Sequence, residues 1–445
     1  MAKLTKIAMN NKALVLFPLP FQGHINPMLQ LANILYSKGF KIIIIHTNFN
    51  SPNPSNYPQF TFKSISDGLS TSKDKSLNLD TTNHAINFMN KSCIDPFAVC
   101  LAKLLELEPV ACLISDALWH FTQSITNRLK LKRIVLRTSS MSCIPLYAAL
   151  VLGEKSYYKT TIKEELALMT EMDIEKIYKG GLEKAKAELI CNMINETKAA
   201  SGIIFNTFKE LEEPAFLAIS QVFQIPSFAI GPFHTYFPAS HSSLIEQDRS
   251  SISWLDQQAV HSVVYVSFGS IAQMSEAEFT DMAWGLANSK QRFLWVVRPG
   301  SVTGSQWLEA LPKGFAEEVG ERGRIVKWAP QQEVLAHQAI GCFWTHNGWN
   351  STLESICEGV PMICSPCSYD QPINARYVTD VWKIGVMLDN REETGKIIKR
   401  VIMGKEGSEM RHRSKSLQEK VNQSMQKGGS ACQSLENLVD SILSF

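Results

Sequence analysis

The sequence predicts an α/β protein with two domains, each built on a doubly wound parallel sheet. Short apolar runs that suit buried strands recur along the chain, helical stretches separate them, and an aperiodic stretch divides the chain in two. That stretch, residues 236–252, is rich in Ser and is interpreted as a linker. We therefore expect Rossmann-like domains at 1–235 and 253–429 that face each other across a cleft. A final helix at about 430–445 is free to pack back on the first domain.

The composition is that of an ordinary globular protein. Of 445 residues, 45% are hydrophobic and 19% are charged, and the net charge of +2 gives no sign of a nucleic-acid or membrane surface. No apolar run approaches the ~20 residues of a membrane span, and the N-terminus lacks a secretory signal. The ten cysteines show no framework spacing. We therefore expect a monomeric cytoplasmic protein with reduced thiols and no nucleic-acid partner.

The chain opens with a βαβ unit. Apolar strands are predicted at Ala13–Pro18 and Lys41–His46, with a tight loop at Phe21–His24 after the first. Asn26 suits an N-cap and Pro27 suits a first helical position, so we expect a helix that starts there.

The alternation of strands and helices continues through both halves. Further strands are predicted at Ala111–Ile114, Arg133–Leu136, Gly202–Phe205, Ser262–Ser267, Phe293–Val297, Arg324–Trp328, Cys342–Thr345 and Met362–Ser365. Helices are predicted at about 275–288, 349–358 and 430–443. A charged stretch with a helical pattern, about 153–190, is expected to form a solvated excursion near the substrate cleft.

Several common nucleotide and metal motifs are missing. No G-x-G-x-x-G follows the first strand, which disfavours a dinucleotide cofactor, and no G-x-x-x-x-G-K-[ST] is present to indicate a nucleoside triphosphatase. No Asp-x-Asp pair is present to carry a metal–diphosphate bridge. The Cys364–Cys367 pair invites a zinc or redox interpretation but has no second ligand pair, so we expect no metal.

The segment Trp328–Gln371 combines groups that suit a nucleotide-sugar. A predicted strand leads through His346 and Gly348 into a helix, whose first turn exposes backbone N–H groups to a diphosphate. His346 could donate to a phosphate oxygen, and Glu354, one turn deeper, could reach a ribose diol. The alternative for the local string is a capped helix with a structural histidine.

A possible general base precedes this segment by some 300 residues. His24 lies after the first strand at a predicted helix N-terminus, which disfavours the imidazolium and keeps a neutral base available. A lone histidine there is more often structural and needs an acid to orient it. Asp116 follows the strand predicted at Ala111–Ile114, at the edge where the cleft should lie.

These residues resemble a known family. The segment Trp328–Gln371 is similar to the signature box of the plant family-1 UDP-glycosyltransferases. The stretches FPLPFQGHINPMLQLANIL, CLISDALW, YVSFGS and FLWVVRPG resemble the same family in the same order. The resemblance covers essentially the whole chain and points to the subgroup that includes glucosyltransferases of steviol glycosides.

The resemblance implies a GT-B fold and an inverting reaction that uses a UDP-sugar and neither metal nor cofactor. It implies that His24 and Asp116 form the catalytic pair. It assigns to the UDP-sugar Trp328, Ala329 and Gln331 at the uracil, Glu354 at the ribose, Ser270, His346, Asn350 and Ser351 at the diphosphate, and Trp349, Asp370 and Gln371 at the sugar hydroxyls. Gln371 goes with glucose more often than galactose in this family. Asn347 departs from the family, which usually has Cys there.

The acceptor site is the least determined part. Six residues in the first half lie near predicted strand ends and either line an acceptor pocket or belong to the core: Gly23, Leu118, Trp119, Ser139, Ser140 and Met141. Their mostly apolar character suits a flat or polycyclic acceptor, such as a terpenoid, a phenolic or a glycoside of either.

The sequence therefore predicts a metal-independent UDP-glycosyltransferase. We expect it to move glucose from UDP-glucose to a hydroxyl or carboxyl of a small hydrophobic or glycosylated metabolite, giving a β-glucoside. UDP-galactose, UDP-xylose and UDP-rhamnose remain open as donors. Two alternatives from other classes are a catalytically silent nucleotide-sugar-binding protein and an NAD-dependent oxidoreductase, which lacks its glycine motif.

Overall fold

The first half of the chain forms a parallel sheet covered by helices. The computed structural model describes residues 12–69, 79–145, 147, 184–237 and 244–445. The strands of the first half are β1 Ala13–Phe17, β2 Lys41–Thr47, β3 Thr61–Ile65, β4 Val110–Asp116, β5 Lys132–Arg137, β6 Gly202–Phe205 and β7 Ser227–Ala229. Its helices are α1 Gln22–Ser37, α2 Leu79–Ser92, α3 Ile94–Leu107, α4 Thr122–Arg128, α5 Lys184–Lys198 and α6 Glu213–Phe223.

The strand order of this sheet is β3-β2-β1-β4-β5-β6-β7. The order reverses at β1, which pairs in parallel with β2 on one side and β4 on the other. Ligands of open α/β sheets bind at such a reversal, beyond the carboxyl ends of the strands. His24 follows β1 and Asp116 ends β4, so both lie at this reversal.

Helix α1 begins at Gln22, so the predicted start at Asn26 is wrong. Pro27 lies inside the helix and, lacking an N–H, cannot bond the carbonyl of Gly23. That carbonyl instead accepts the side-chain amide of Asn350, from the second half of the chain, at 2.9 Å. A tertiary contact thus satisfies the group that a helical proline leaves unpaired.

The second half forms another parallel sheet, in the order β10-β9-β8-β11-β12-β13. Its strands are β8 Val263–Ser267, β9 Arg292–Val296, β10 Gly323–Val326, β11 Ile340–Thr345, β12 Met362–Cys364 and β13 Gly385–Met387. Its helices, with those that follow, are α7 Ser250–Leu255, α8 Glu276–Ser289, α9 Phe315–Val319, α10 Gln331–Ala336, α11 Trp349–Cys357, α12 Gln371–Arg376, α13 Thr394–Met403, α14 Lys405–Met425 and α15 Ser430–Leu443. The predicted fold class, two α/β domains with parallel sheets, is confirmed.

The second sheet repeats the reversal of the first. Here β8 lies between β9 and β11. The Phe268–Ser270 loop follows β8, and His346 follows β11. The two reversals therefore place one group of candidate residues on each side of the cleft.

Strands β3, β7 and β13 were missed by the sequence analysis. All three lie at or beside a sheet edge and are at most five residues long. Strands this short carry too little periodicity to be distinguished from a loop.

The last helix, α15, packs on the first domain. Leu435, Leu438 and Ile442 are buried in the same core cluster as Leu14 and Ile114 of the first sheet. Because α14 and α15 follow the second sheet, the chain returns to the first domain at its end. We propose the domain limits given above, with α15 as part of the first domain.

Parts of two predicted segments lie outside the described residues. These are 153–183 of the charged stretch and 238–243 of the linker. Within the linker, Leu244 donates its backbone N–H to the Gln22 side chain at 2.8 Å, and α7 already begins at Ser250. In the described ranges, no helix has the length and apolar character needed to cross a membrane.

The packing of α15 can be tested by truncating one leucine. Leu438 is 0% exposed and Leu443, on the same helix, is 42% exposed. Leu438→Ala should lower the free energy of unfolding by about 2–4 kcal/mol, because it leaves a cavity in the core. Leu443→Ala is the control and should cost less than about 0.5 kcal/mol. Urea unfolding followed by tryptophan fluorescence measures both; equal losses would contradict the docking of α15.

Candidate active site

A cavity lies between the two sheets and is lined by residues of both domains. His24 and Leu118 contribute from the first half. From the second half, the lining includes all the residues predicted to hold a UDP-sugar: Ser270, Trp328, Ala329, Gln331, His346, Trp349, Asn350, Ser351, Glu354, Asp370 and Gln371. Residues predicted separately from the two halves therefore meet in one cleft.

His24 and Asp116 form a hydrogen-bonded pair at the cavity wall. His24 Nδ1 lies 2.7 Å from Asp116 Oδ2 and 3.0 Å from Thr138 Oγ1. Asp116 is 1% exposed and its other oxygen accepts the backbone N–H of Leu118 at 2.9 Å, so the carboxylate is fixed in place. His24 is 24% exposed.

This geometry assigns the protons of the imidazole. A carboxylate at Nδ1 favours the tautomer that carries its proton there, which leaves Nε2 as an acceptor. His24 lines the cavity, and no described residue bonds its Nε2. The pair can therefore accept a proton from a hydroxyl in the cavity while Asp116 stabilises the imidazolium that forms.

Helix α11 presents an uncapped N-terminus to the cavity. Gly348 is its N-cap and supplies no side chain to bond the first-turn N–H groups. Trp349, Asn350 and Ser351 form the first turn and line the cavity. Free N–H groups together with the helix dipole make this end a site for an anion such as a diphosphate.

His346 lies beside this helix end as a neutral ring. Burial lowers its pKa to about 4, so at pH 7 it is uncharged and keeps one N–H to donate. Two glycines make room for the ring. A Cβ on Gly269 would lie 2.8 Å from it, and a Cβ on Gly348 would lie 2.6 Å from it.

Asn347, the departure from the family pattern, fits its backbone conformation. Its φ is +60°, a left-handed value that Asn tolerates better than most residues. Its side-chain amide contacts Cys364 Sγ at 3.3 Å, and its carbonyl accepts the Asn374 amide at 2.9 Å. Asn347 is therefore buried and stabilises the loop through these contacts, while the neighbouring His346 lines the cavity.

Glu354 is held in place by two glutamines. Gln331 Nε2 lies 2.6 Å from one carboxylate oxygen, and Gln332 Nε2 lies 3.0 Å from the other. Burial raises the pKa of Glu354, while these amide hydrogen bonds oppose the rise. A carboxylate has about four acceptor positions. Two therefore remain for a ribose diol.

The nearby residues complete a site for a nucleoside. Trp328 is partly buried against the core of the second domain and shows part of its ring to the cavity, while Ala329 is buried beside it. Gln331 also donates to Ser351 Oγ at 2.9 Å and accepts from the hydroxyl of Tyr265 at 3.2 Å. Its side chain is thus directed to Glu354 and the helix end, and a base at Trp328 has only the backbone of Gln331 to contact.

The side chains predicted to bind the sugar already make hydrogen bonds within the protein. Gln371 Oε1 accepts the N–H groups of Cys367 and Ser368 at 2.9 and 3.0 Å, which leaves its NH₂ group as a donor. Asp370 accepts from Asn374 at 2.9 Å, and burial raises its pKa. The indole N–H of Trp349 donates to the carbonyl of Asn206 at 2.8 Å, so only its backbone can bond a sugar.

The predicted acceptor residues fall into two groups. Gly23, Leu118 and Ser139 line the cavity. Trp119, Ser140 and Met141 do not line it and are buried, which favours the alternative that they belong to the core. The ring of Trp119 stacks on Phe17 and donates to the carbonyl of Pro18 at 3.0 Å. Met141 is buried with helices of the first domain.

Two helices with no predicted site residue supply much of the first-domain side of the cavity, which we propose as the acceptor wall. Thr82, Asn83 and Ile86 come from α2, and Leu189, Ile190 and Met193 come from α5. Nothing in their local sequence marks them as binding residues. Their role follows only from the packing of these helices beside the sheet.

Potential metal ligands are not clustered in the described part of the chain. There, no three His, Cys, Asp or Glu side chains form a cluster suited to a metal ion. Cys364 is buried against Asn347, and its partner in the C-x-x-C string, Cys367, lines the cavity.

A glycine substitution tests the position of His346. Gly269→Ala should weaken UDP binding about tenfold or more, because the new Cβ displaces a ring that donates to the diphosphate. Gly300→Ala is a matched control. Its φ is +74° against +71° at Gly269, but nothing lies within 4 Å of the new Cβ. Calorimetric titration with UDP measures both affinities; equal weakening would show that backbone strain, and not His346, causes the loss.

Comparisons with known proteins identify the family of this chain. The family model described as "UDP-glucoronosyl and UDP-glucosyl transferase" matches residues 36–405. UDP-glycosyltransferase 76G1 from Stevia rebaudiana is 48% identical over 97% of this chain and 97% of its own length. UDP-glycosyltransferase 76B1 from Arabidopsis thaliana is 47% identical over 97% of this chain and 98% of its own length.

A solved structure shows the same fold. Os79 from O. sativa, crystallised in complex with UDP, superposes with a TM-score of 0.85 at 24% identity, covering 96% of this chain and 100% of that one. The fold is thus the GT-B fold of plant UDP-glycosyltransferases. With a family model that spans most of its length and close relatives along nearly all of it, this chain belongs to the plant family-1 UDP-glycosyltransferases and is a UDP-sugar-dependent glycosyltransferase.

Proposed function

We propose that this enzyme transfers glucose from UDP-glucose to a hydroxyl of a small plant specialised metabolite and produces a β-glucoside. The observation that carries the proposal is the His24–Asp116 pair, which lines the same cavity as the uncapped N-terminus of α11. A base and a diphosphate site on opposite walls suit a direct displacement at the sugar carbon that lies between them.

In the proposed reaction, His24 Nε2 accepts the proton of the acceptor hydroxyl. The acceptor oxygen forms a bond to C1 of the sugar as the bond from C1 to the phosphate oxygen breaks. Attack from the face opposite the diphosphate inverts the α-linked sugar. Asp116 stays ionised and stabilises the imidazolium through the 2.7 Å contact at Nδ1.

Departure of UDP requires stabilisation of its negative charge. We assign this role to the first-turn N–H groups of α11, the hydroxyl of Ser351 and the N–H of His346, with Ser270 on the neighbouring loop. These donors are in place before the reaction, and such preorganised groups stabilise developing charge strongly in a site that excludes water. We therefore propose that no metal ion takes part.

Glucose is the proposed donor sugar. The NH₂ group of Gln371 and the carboxylate of Asp370 supply one donor group and one acceptor group for adjacent sugar hydroxyls. The family description, which includes UDP-glucosyl transferases, supports the same choice.

The acceptor wall supports a hydrophobic metabolite such as a terpenoid or phenolic. Its apolar members come from four separate parts of the first domain: Phe21, Ile86, Leu118, Leu189, Ile190 and Met193. A surface of this kind gives affinity for a flat or polycyclic body, while its few polar groups fix the orientation.

Substitution of the catalytic pair separates the two roles. His24→Ala should lower kcat by about 100-fold or more, since a positioned general base contributes about 10²–10⁴-fold. Asp116→Asn should also lower kcat strongly, because the amide no longer stabilises the imidazolium or fixes the tautomer. Both variants should keep the UDP affinity within about threefold. Steady-state kinetics and UDP titration measure these effects; undiminished kcat in His24→Ala, or lost UDP binding in a folded Asp116→Asn, would refute the assignments.

The proposed metal-free, inverting transfer of glucose has its own test. Treatment with EDTA should leave kcat unchanged with UDP-glucose and a phenolic acceptor, because protein donors neutralise the diphosphate. The product should show the proton coupling of a β-anomer in NMR. UDP-galactose, UDP-xylose and UDP-rhamnose should react more slowly in the same assay. Metal-dependent activity, an α-anomer, or a faster reaction with another donor would each overturn its part of the proposal.

A further inference from the structure

One buried arginine of the acceptor wall has no role in the proposed mechanism. Arg137 ends β5 and is 7% exposed, yet it lines the cavity. Among the described residues of the first domain that line this cavity, it is the one side chain that is always ionised. The same wall also carries the apolar residues Leu118, Ile190 and Met193.

The guanidinium of Arg137 has no oxygen partner among the described residues. Its hydrogen-bond neighbours are two sulfur atoms: one N–H group points at Met193 Sδ and another lies 3.8 Å from Cys143 Sγ. Its Nε is buried without a partner. Sulfur is a weak acceptor, so the guanidinium keeps hydrogen-bonding capacity that these contacts do not use.

Neither nearby carboxylate, Asp116 or Asp370, hydrogen-bonds the guanidinium, although the charge of Asp116 is among the causes that raise the pKa of Arg137 against the effect of burial. Both oxygens of Asp116 are occupied, one by His24 and the other by the N–H of Leu118. Asp370, which belongs to the second domain, accepts a hydrogen bond from Asn374 of the same domain. Neither carboxylate forms an ion pair with Arg137.

Arg137 is also close to the catalytic pair. In the sheet register, Asp116 lies beside Leu136, so Arg137 is one residue further toward the cleft on the adjacent strand. The next residue, Thr138, places its hydroxyl 3.0 Å from His24 Nδ1. A small molecule whose hydroxyl faces His24 can therefore extend a second group toward Arg137.

We propose that Arg137 binds a carboxylate of the acceptor, and that the preferred acceptors are hydroxy acids with an apolar body. This inference rests on the proposed function and narrows its substrate class. Arginine matches the geometry of a carboxylate with two parallel N–H groups, and such a pair is strongest where water is excluded. The apolar wall accommodates the rest of the molecule.

The proposal also fixes which oxygen reacts. A carboxylate held at Arg137 is kept away from C1, so the hydroxyl forms the new bond to C1 and its proton passes to His24. The product is then a glucoside that keeps a free carboxylate, and it is stable to mild alkaline hydroxylamine. A glucose ester would be cleaved by the same treatment.

Matched acceptors test the role of Arg137 directly. We choose mandelate with mandelamide, and 4-hydroxyphenylacetate with its amide, since each pair differs only in the charge of one group. With UDP bound, calorimetry should show that the enzyme binds at least one acid about tenfold or more tightly than its amide, as expected for a hydrogen bond to a charged group. Equal affinities in both pairs would overturn the proposal.

Substitutions then show whether Arg137 causes the preference. Arg137→Gln should reduce the acid-to-amide affinity ratio to about one. Arg137→Lys should give an intermediate ratio, because lysine keeps the charge but lacks the two parallel N–H groups of the guanidinium. Lys132→Gln removes an exposed charge from the other end of the same strand and should leave the ratio unchanged. A merely structural role would weaken both ligands of a pair and preserve the ratio, which would refute the assignment.

Failure of the Arg137 assignment can be distinguished from failure of the proposed function. The affinity ratio is measured without transfer, so it reports on Arg137 even if no glucose is moved. Transfer to the amides and to neutral phenols, combined with equal binding of acids and amides, would support the proposed function and overturn only the role of Arg137.

Discussion

The active site depends on hydrogen bonds that cross the cleft between the two domains. Asn350, in the first turn of α11, donates its side-chain amide to the carbonyl of Gly23, in the first turn of α1. The next residue along α1 is His24. In the same region, the indole of Trp349 donates to the carbonyl of Asn206 in the first domain. The helix end proposed to bind the diphosphate is therefore tied directly to the helix that carries the proposed base.

This arrangement divides the chemical work between the domains. The second domain supplies groups that are already oriented before a ligand arrives: Glu354 is held by two amides, and His346 is kept neutral by burial between two glycines. The first domain supplies the His24–Asp116 pair and a mostly apolar wall with Arg137 at its edge. In the proposed reaction, fixed polar groups bind the donor, whereas the shape and charge of the first-domain wall select the acceptor.

The sequence predicted which second-domain residues line the cavity far better than which first-domain residues do. The donor residues follow strand ends or occupy one helical turn, so their spacing along the chain already places them together, and the family resemblance assigned their roles. Trp119 also follows a strand, which suggested a position at the cavity. Its ring instead lies in the core and stacks on Phe17. Helix α1 begins earlier than Pro27 suggested, because Asn350 of the other domain satisfies the carbonyl that the proline leaves unpaired. Helices α2 and α5 reach the cavity only through tertiary packing, which no local pattern encodes.

The most direct test of the His24–Asp116 pair as a general base uses acceptors that differ in acidity. A series of substituted phenols of similar size can be compared in the wild-type enzyme and in His24→Ala, with kcat measured at one pH. A phenol that is already ionised needs no base, so the loss of rate in the variant should shrink steadily as the pKa of the phenol falls. A loss of the same size for every phenol would mean that His24 does not remove the proton.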